Sequence, residues 1–171
     1  MSQPLLRTPA LLASLLASLL LGVACTGKGG GSSCPSDPVD GATATVDGES
    51  WTASLVTWQY AGDSVQVIST SEDKGWFSVV AQSTTTGATP AAALEAGDLP
   101  VEITLKTGPD GGFATWYSPE NQASATTQGG EGTLVLSDFD GDALTGCLSF
   151  TAGEGGADVS FEDGQFTAEM M

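Results

Sequence analysis

The chain has 171 residues, enough for one domain once its ends are set aside. It carries 21 acidic residues against 4 basic ones and no histidine, a formal charge of −17. That charge repels phosphate backbones and anionic lipid headgroups, so nucleic acid is excluded as a partner. The missing histidine excludes Ser-His-Asp and Cys-His catalysis.

At the N-terminus Arg7 precedes an uncharged run over residues 10–24, "ALLASLLASLLLGVA". The run is too short to span a hydrocarbon core, which needs about 20 residues. A short apolar stretch ending in small residues is instead the pattern of a secretory signal peptide. Its end, Leu21-Gly22-Val23-Ala24-Cys25, resembles the lipobox of bacterial lipoproteins. The resemblance implies that the Cys25 thiol receives a diacylglyceryl group, that cleavage before Cys25 removes residues 1–24, and that the new amine is acylated. Gly22 stands where the family more often has Leu. Thr26 after the cysteine, by the sorting rule of enteric lipoproteins, implies the outer membrane. Each buried CH₂ contributes about 0.8 kcal/mol, so two or three chains on one residue hold a protein firmly. An ordinary secreted protein cut after Ala24 is the alternative.

Residues 25–41, "CTGKGGGSSCPSDPVDG", are Gly, Ser and Pro with no apolar period, which reads as a flexible linker. If Cys25 is lipidated, Cys34 and Cys147 remain as an even pair. In an oxidising compartment they are expected to form a disulfide, the alternative being a free Cys34 and a buried Cys147 thiol. The spacing of cysteines offers no zinc site.

From residue 42 to 171 strand signals dominate. "ATATV" meets "ESWTASLVTWQY" across Asp47-Gly48, a hairpin dipeptide. Ala61-Gly62-Asp63 turns into "SVQVIST", residues 71–75 into "WFSVVAQST". "AAALEAG" predicts one helical turn closed by Gly97. "PVEITLK" alternates cleanly, with Val101, Ile103 and Leu105 on one face. "FATWYS" and a weaker strand near residues 123–127 follow. The last third reads as four strands in sequential hairpins. Asp163-Gly164 is expected to be a two-residue turn setting Phe161 opposite Phe166. The hairpin near Asp140 permits a two- or three-residue loop, and only the longer puts Leu136 and Leu144 on one face. About ten short strands in this order predict an all-β domain, an antiparallel sandwich or barrel.

"ATVDGESW" and "GTLVLSDFDGDALTGCLSFTA…VSFEDGQF" resemble the landmarks of a family of secreted and lipid-anchored bacterial proteins of unknown function. That resemblance implies an all-β module and supplies no activity or catalytic residue.

Asp138-Phe139-Asp140-Gly141-Asp142 has the density of acids a calcium loop needs. Its Gly falls at position 4 rather than 6 and no acid sits at 12, so a hairpin turn is the better reading. Trp51, Trp58, Trp76 and Trp116 offer either core or a sugar-stacking platform. Trp51 and Trp58 lie seven apart, opposite faces of a regular strand. One of the two is therefore expected outside the core, and Trp58 with Tyr60, exposed beside Trp116 and Tyr117, would form the candidate ligand-stacking site for a carbohydrate or peptide. Lys28, Lys74 and Lys106 sit in a linker, a turn and a polar strand face, poor settings for a Ser-Lys pair. The expectation is a non-catalytic, lipid-anchored protein of the cell envelope that needs no cofactor. Its role is structural or binding, with membrane contact through Cys25 and an unidentified protein, carbohydrate or Ca²⁺ ligand. A carbohydrate- or calcium-binding module is the runner-up.

Overall fold

The structure, a computed structural model, describes residues 34–35, 37–71, 75–106, 111–118, 123–127, 131–154 and 157–171. Cys25 and the apolar run before it lie outside the described residues. The described residues form an all-β domain of eleven strands and one short helix. In chain order these are β1 (Ala42–Val46), β2 (Glu49–Ala53), β3 (Leu55–Ala61), β4 (Ser64–Thr70), β5 (Trp76–Ala81) and α1 (Pro90–Ala96). Then follow β6 (Val101–Leu105), β7 (Gly112–Ser118), β8 (Ala123–Thr126), β9 (Gly132–Phe139), β10 (Ala143–Glu154) and β11 (Ala157–Met170).

Eight of the strands close a hydrogen-bonded ring in the order β10-β9-β6-β7-β5-β4-β3-β11, with β11 returning to β10. The ring is a barrel built from two antiparallel sheets. One sheet is β3-β4-β5-β7 and the other β6-β9-β10-β11. Two short parallel seams join their edges. Leu105 pairs with Gly112 at the β6–β7 seam, and Glu169 and Met170 pair with Thr57 and Trp58 at the β11–β3 seam. The β1–β2 hairpin continues from β11, and β8 from β7.

The local elements follow their residues. Asp47 and Gly48 take positive φ of 50° and 84° between Val46 and Glu49, the mirror-image turn whose twist suits a hairpin. Gly62-Asp63 links Ala61 to Ser64, with positive φ, 67°, at Gly62 alone. Ile103 and Leu105 point inward from β6 while Thr104 and Lys106 face out. The helix is longer than the single turn expected. Thr89 caps its first turn and Pro90 stands where no intrahelical N–H is lost, so the element spans Pro90–Ala96 before Gly97 ends it.

Two sequence expectations change. Asp163-Gly164 is not a hairpin turn: β11 runs straight through it as one strand of 14 residues. Leu148 pairs with Gly164 and Phe150 with Phe161, so β11 carries one residue more than β10 here. The same excess appears against β1. This is a β-bulge, with Asp163 in the left-handed region at φ 51°. Asp-Gly supplies positive φ to a turn and to a bulge alike, so the dipeptide cannot tell them apart. The bulge explains the burial. Val159 and Phe161 point inward, Glu162 and Asp163 both face solvent, and Gly164, Phe166 and Ala168 point inward again. At the other hairpin Asp140 pairs with Ala143 through its N–H, and Ser137 is left unmatched on β9. That second bulge brings Leu136 and Leu144 together inside.

Trp51 and Trp58 also share the interior, although their spacing predicts opposite faces. Ser54 interrupts the strand between them and resets the phase. Phe161 sits in the middle of the core rings, its centroid 4.8–5.9 Å from those of Trp51, Phe77, Trp116 and Phe150. Fully burying such a ring contributes about 1.5–3 kcal/mol.

A Cβ added at Gly164 would stand 2.5 Å from Leu148 O and 2.5 Å from Phe161 Cε1, neither of which can give way cheaply. Gly164→Ala is expected to cost about 1–3 kcal/mol as overpacking. Urea unfolding should show a lower midpoint with an unchanged slope.

Candidate functional site

Cys147 lies on the outer face of β10, between Val135 of β9 and Gln165 of β11. Leu144, Leu148 and Phe150 take the inward positions, which leaves the cysteine accessible to a partner from outside. That partner is Cys34: the two form a disulfide with Cα atoms 5.5 Å apart. Cys34 Sγ sits 3.8 Å from Val135 O. Neither bridged sulfur has a proton to donate, so this is packing. Val135 is buried apart from the central cluster, and the bridge lies against it.

Residues 34–41, which the sequence assigns to the linker, run from this bridge to β1. Val39 is half-buried, and Gly41 is buried with its carbonyl accepting from Thr167 N at 2.8 Å. Between this segment and β9, β10 and β11 is a cleft of about 250 Å³. Pro35, Pro38 and Val39 form one wall; Ser137, Thr145 and Gln165 face them. Ser137 and Thr145 spend their hydroxyls on each other at 3.1 Å. Asp37 and Asp138 also line the cleft, but among the described residues no group of three metal-ligating side chains forms.

The candidate stacking residues are elsewhere than expected. Trp58 is 0 % exposed, its Nε1 donating to Asp142 O at 2.9 Å and its ring 5.2 Å from that of Phe139. Trp116 is 5 % exposed and lies edge-on to Trp51 at 5.5 Å. Both are core, and neither offers a face to a ligand. Tyr60, beside Trp58, stays partly exposed, and burial followed by the Glu95 carboxylate pushes its hydroxyl pKa up. The aromatic pair that reaches the surface is Trp76 with Tyr117. They are register partners on β5 and β7, stacked at 5.6 Å with planes 20° apart, and both are half-buried. Strand alternation turns them outward because Phe77 and Trp116, one position away, point into the core.

In Asp138–Asp142 the Asp140 carboxylate accepts from Asp142 N at 3.0 Å and from Ala143 N at 2.8 Å. These two backbone bonds hold its pKa below the ordinary value of 3.8. The carboxylate is occupied in shaping a turn. Lys106, exposed just beyond β6, lines a second cleft of about 210 Å³ with Ser83, Thr84, Thr85 and Thr104. Two of these hydroxyls are engaged locally: Thr84 pairs with Thr86 at 2.9 Å, and Ser83 donates to Thr84 O at 3.2 Å.

No protein-family model, curated protein or solved structure matches this chain at a significant level.

The disulfide closes a loop of 113 residues. On chain entropy its reduction is expected to cost about 5 kcal/mol of stability. Urea midpoints with and without dithiothreitol measure this; equal midpoints would show the bridge absent or idle. Asp140 has a folded pKa below its unfolded one, so its contribution is full above about pH 4 and lost as pH falls through the folded value. In an NMR titration the Asp142 and Ala143 amides should shift with an apparent pKa below 3.8.

Proposed function

We propose that the protein is a lipid-anchored, non-catalytic component of the cell envelope, held in the outer membrane through Cys25. It presents an acidic β-module for a structural or binding role. The observation that carries this reading is the pairing of cysteines. The chain has three, and Cys34 with Cys147 form the disulfide, which leaves Cys25 as the odd thiol, placed where the lipobox-like sequence wants it.

The bridge also bears on the leash. Eight residues separate Cys25 from Cys34, all but Thr26 and Lys28 being Gly or Ser. Fully extended, that stretch reaches about 30 Å, and as a flexible coil about 17 Å. The bridge then sets the domain's attachment point at the side of β10 rather than at the start of β1. A domain so held stays within a few nanometres of the bilayer, and its surplus of acids keeps it clear of anionic headgroups. The second reading is a carbohydrate-binding module, favoured by the outward Trp76–Tyr117 pair.

Intact mass of the protein extracted from membranes tests the anchor. The expected mass is that of residues 25–171 plus acyl chains, with a gain of two hydrogens on reduction. Cys25→Ser should move the protein from the membrane to the soluble fraction. A mass without lipid, or a chain retaining residues 1–24, contradicts the anchor.

A further inference from the structure

The two sheets of the barrel differ on their outer faces. β6, β9 and β11 display Glu102, Asp138, Glu162, Asp163 and Glu169. The opposite sheet, β3-β4-β5-β7, reads LVTWQYA, SVQVIST, WFSVVA and GFATWYS, with no Asp, Glu, Lys or Arg at all. In a chain of charge −17, four adjacent strands without a charge mark a surface whose partner is itself uncharged.

The outward residues of this sheet form rows across it. Thr57, Ile68, Ser78 and Thr115 are successive register partners, as are Gln59, Gln66, Val80 and Phe113. At one end Trp76 stands beside Tyr117, and Leu55, 55 % exposed, beside Thr70. Side-chain amides and hydroxyls link across the strands: Gln59 Nε2 donates to Gln66 Oε1 at 2.8 Å, and Gln66 Nε2 to Ser78 Oγ at 3.3 Å. Neutral hydrogen-bonding groups and the aliphatic Ile68 and Val80 thus fill the rows, with the Trp76–Tyr117 rings at one end and Phe113 in the second row.

We infer that this face binds a neutral polysaccharide. A sugar ring has apolar C–H faces and an edge of hydroxyls. The first suits an aromatic ring, and the second suits amide and hydroxyl partners that need no charge. The alternatives fit less well. A bilayer's hydrocarbon would strand the Gln, Ser and Thr groups without water. A cationic protein would seek the acidic sheet. A second copy would bring another charge of −17 against the first. β5, which carries Trp76, is four strands from β10 in both directions round the ring. The glycan face is therefore on the far side from Cys147, where the leash is fastened. The binding argument itself rests only on the sheet, so it stands or falls independently of the lipid on Cys25.

Native affinity electrophoresis of the full chain in neutral detergent tests it, since the acidic protein migrates readily. Gels contain hydroxyethylcellulose, laminarin, soluble starch or dextran, with alginate as the anionic control. The expected result is retardation in at least one neutral gel and none in alginate. Trp76→Ala should weaken retardation about tenfold. Ser78→Glu, which places a charge on the inner strand β5 between Ile68 and Thr115, should abolish it, and Glu102→Gln on the other sheet should leave it unchanged. Cooperative urea transitions for each variant separate lost binding from lost folding. Free mobility in all four neutral gels overturns the inference. So does retardation in alginate alone, retardation indifferent to both face variants, or concentration-dependent slowing without polysaccharide, which would make a second copy the occupant.

Discussion

The structure depends on β11 satisfying three neighbours at once. β10 pairs with it along one edge, while β1 and then β3 pair with the other. A strand that closes a ring must keep its apolar residues inward over its whole length, and β11 does so only by carrying an extra residue. Without the bulge at Glu162-Asp163, Phe161 and Phe166 would point to opposite faces, since they lie five apart. With it, both enter the core, and Phe161 meets four other rings. The positive φ of Asp163 and the bare Cα of Gly164 are the local cost of that phase change.

Closure by two short parallel seams divides the barrel into two sheets with different outer faces. One sheet accepts the disulfide and the segment leading from it, and it carries acids on its strands. The other is uncharged and shows a stacked aromatic pair. A common interior joins them, so the two outer faces can diverge in chemistry without disturbing the packing. The Cys34–Cys147 bridge on β10 lies across the ring from β5, at the centre of the uncharged sheet.

Much of the fold was legible because strand alternation and turn dipeptides are local signals. Asp47-Gly48, Gly62-Asp63 and the inward Ile103 and Leu105 all lie where the pattern puts them. The misread positions are those where a local signal has two structural uses. Asp-Gly serves a turn and a bulge; Ser54 looks like any strand residue yet breaks the phase between Trp51 and Trp58. Only a neighbouring strand, distant in sequence, decides between such uses. The Cys34–Cys147 pairing was an expectation that followed from the lipobox resemblance, which sets Cys25 aside and leaves an even pair. The neutral sheet was not, because its four strands become one face only once β7, later in the chain, docks beside β5. Spacing sets Trp51 and Trp58 on opposite faces, yet burial takes Trp58 and Trp116 into the core and leaves Trp76 and Tyr117 half-buried at the surface.

Backbone proximities in solution test the closing strand most directly. In a NOESY spectrum of the folded protein, β11 acting as one bulged strand places Gly164 against Leu148, Phe161 against Phe150 and Val46, and Glu169 against Thr57. Cross-strand contacts between the backbones of Phe161 and Phe166 should be missing. Their appearance, together with loss of the Glu169–Thr57 contact, would mean a hairpin at Asp163-Gly164 and an open sheet in place of the ring.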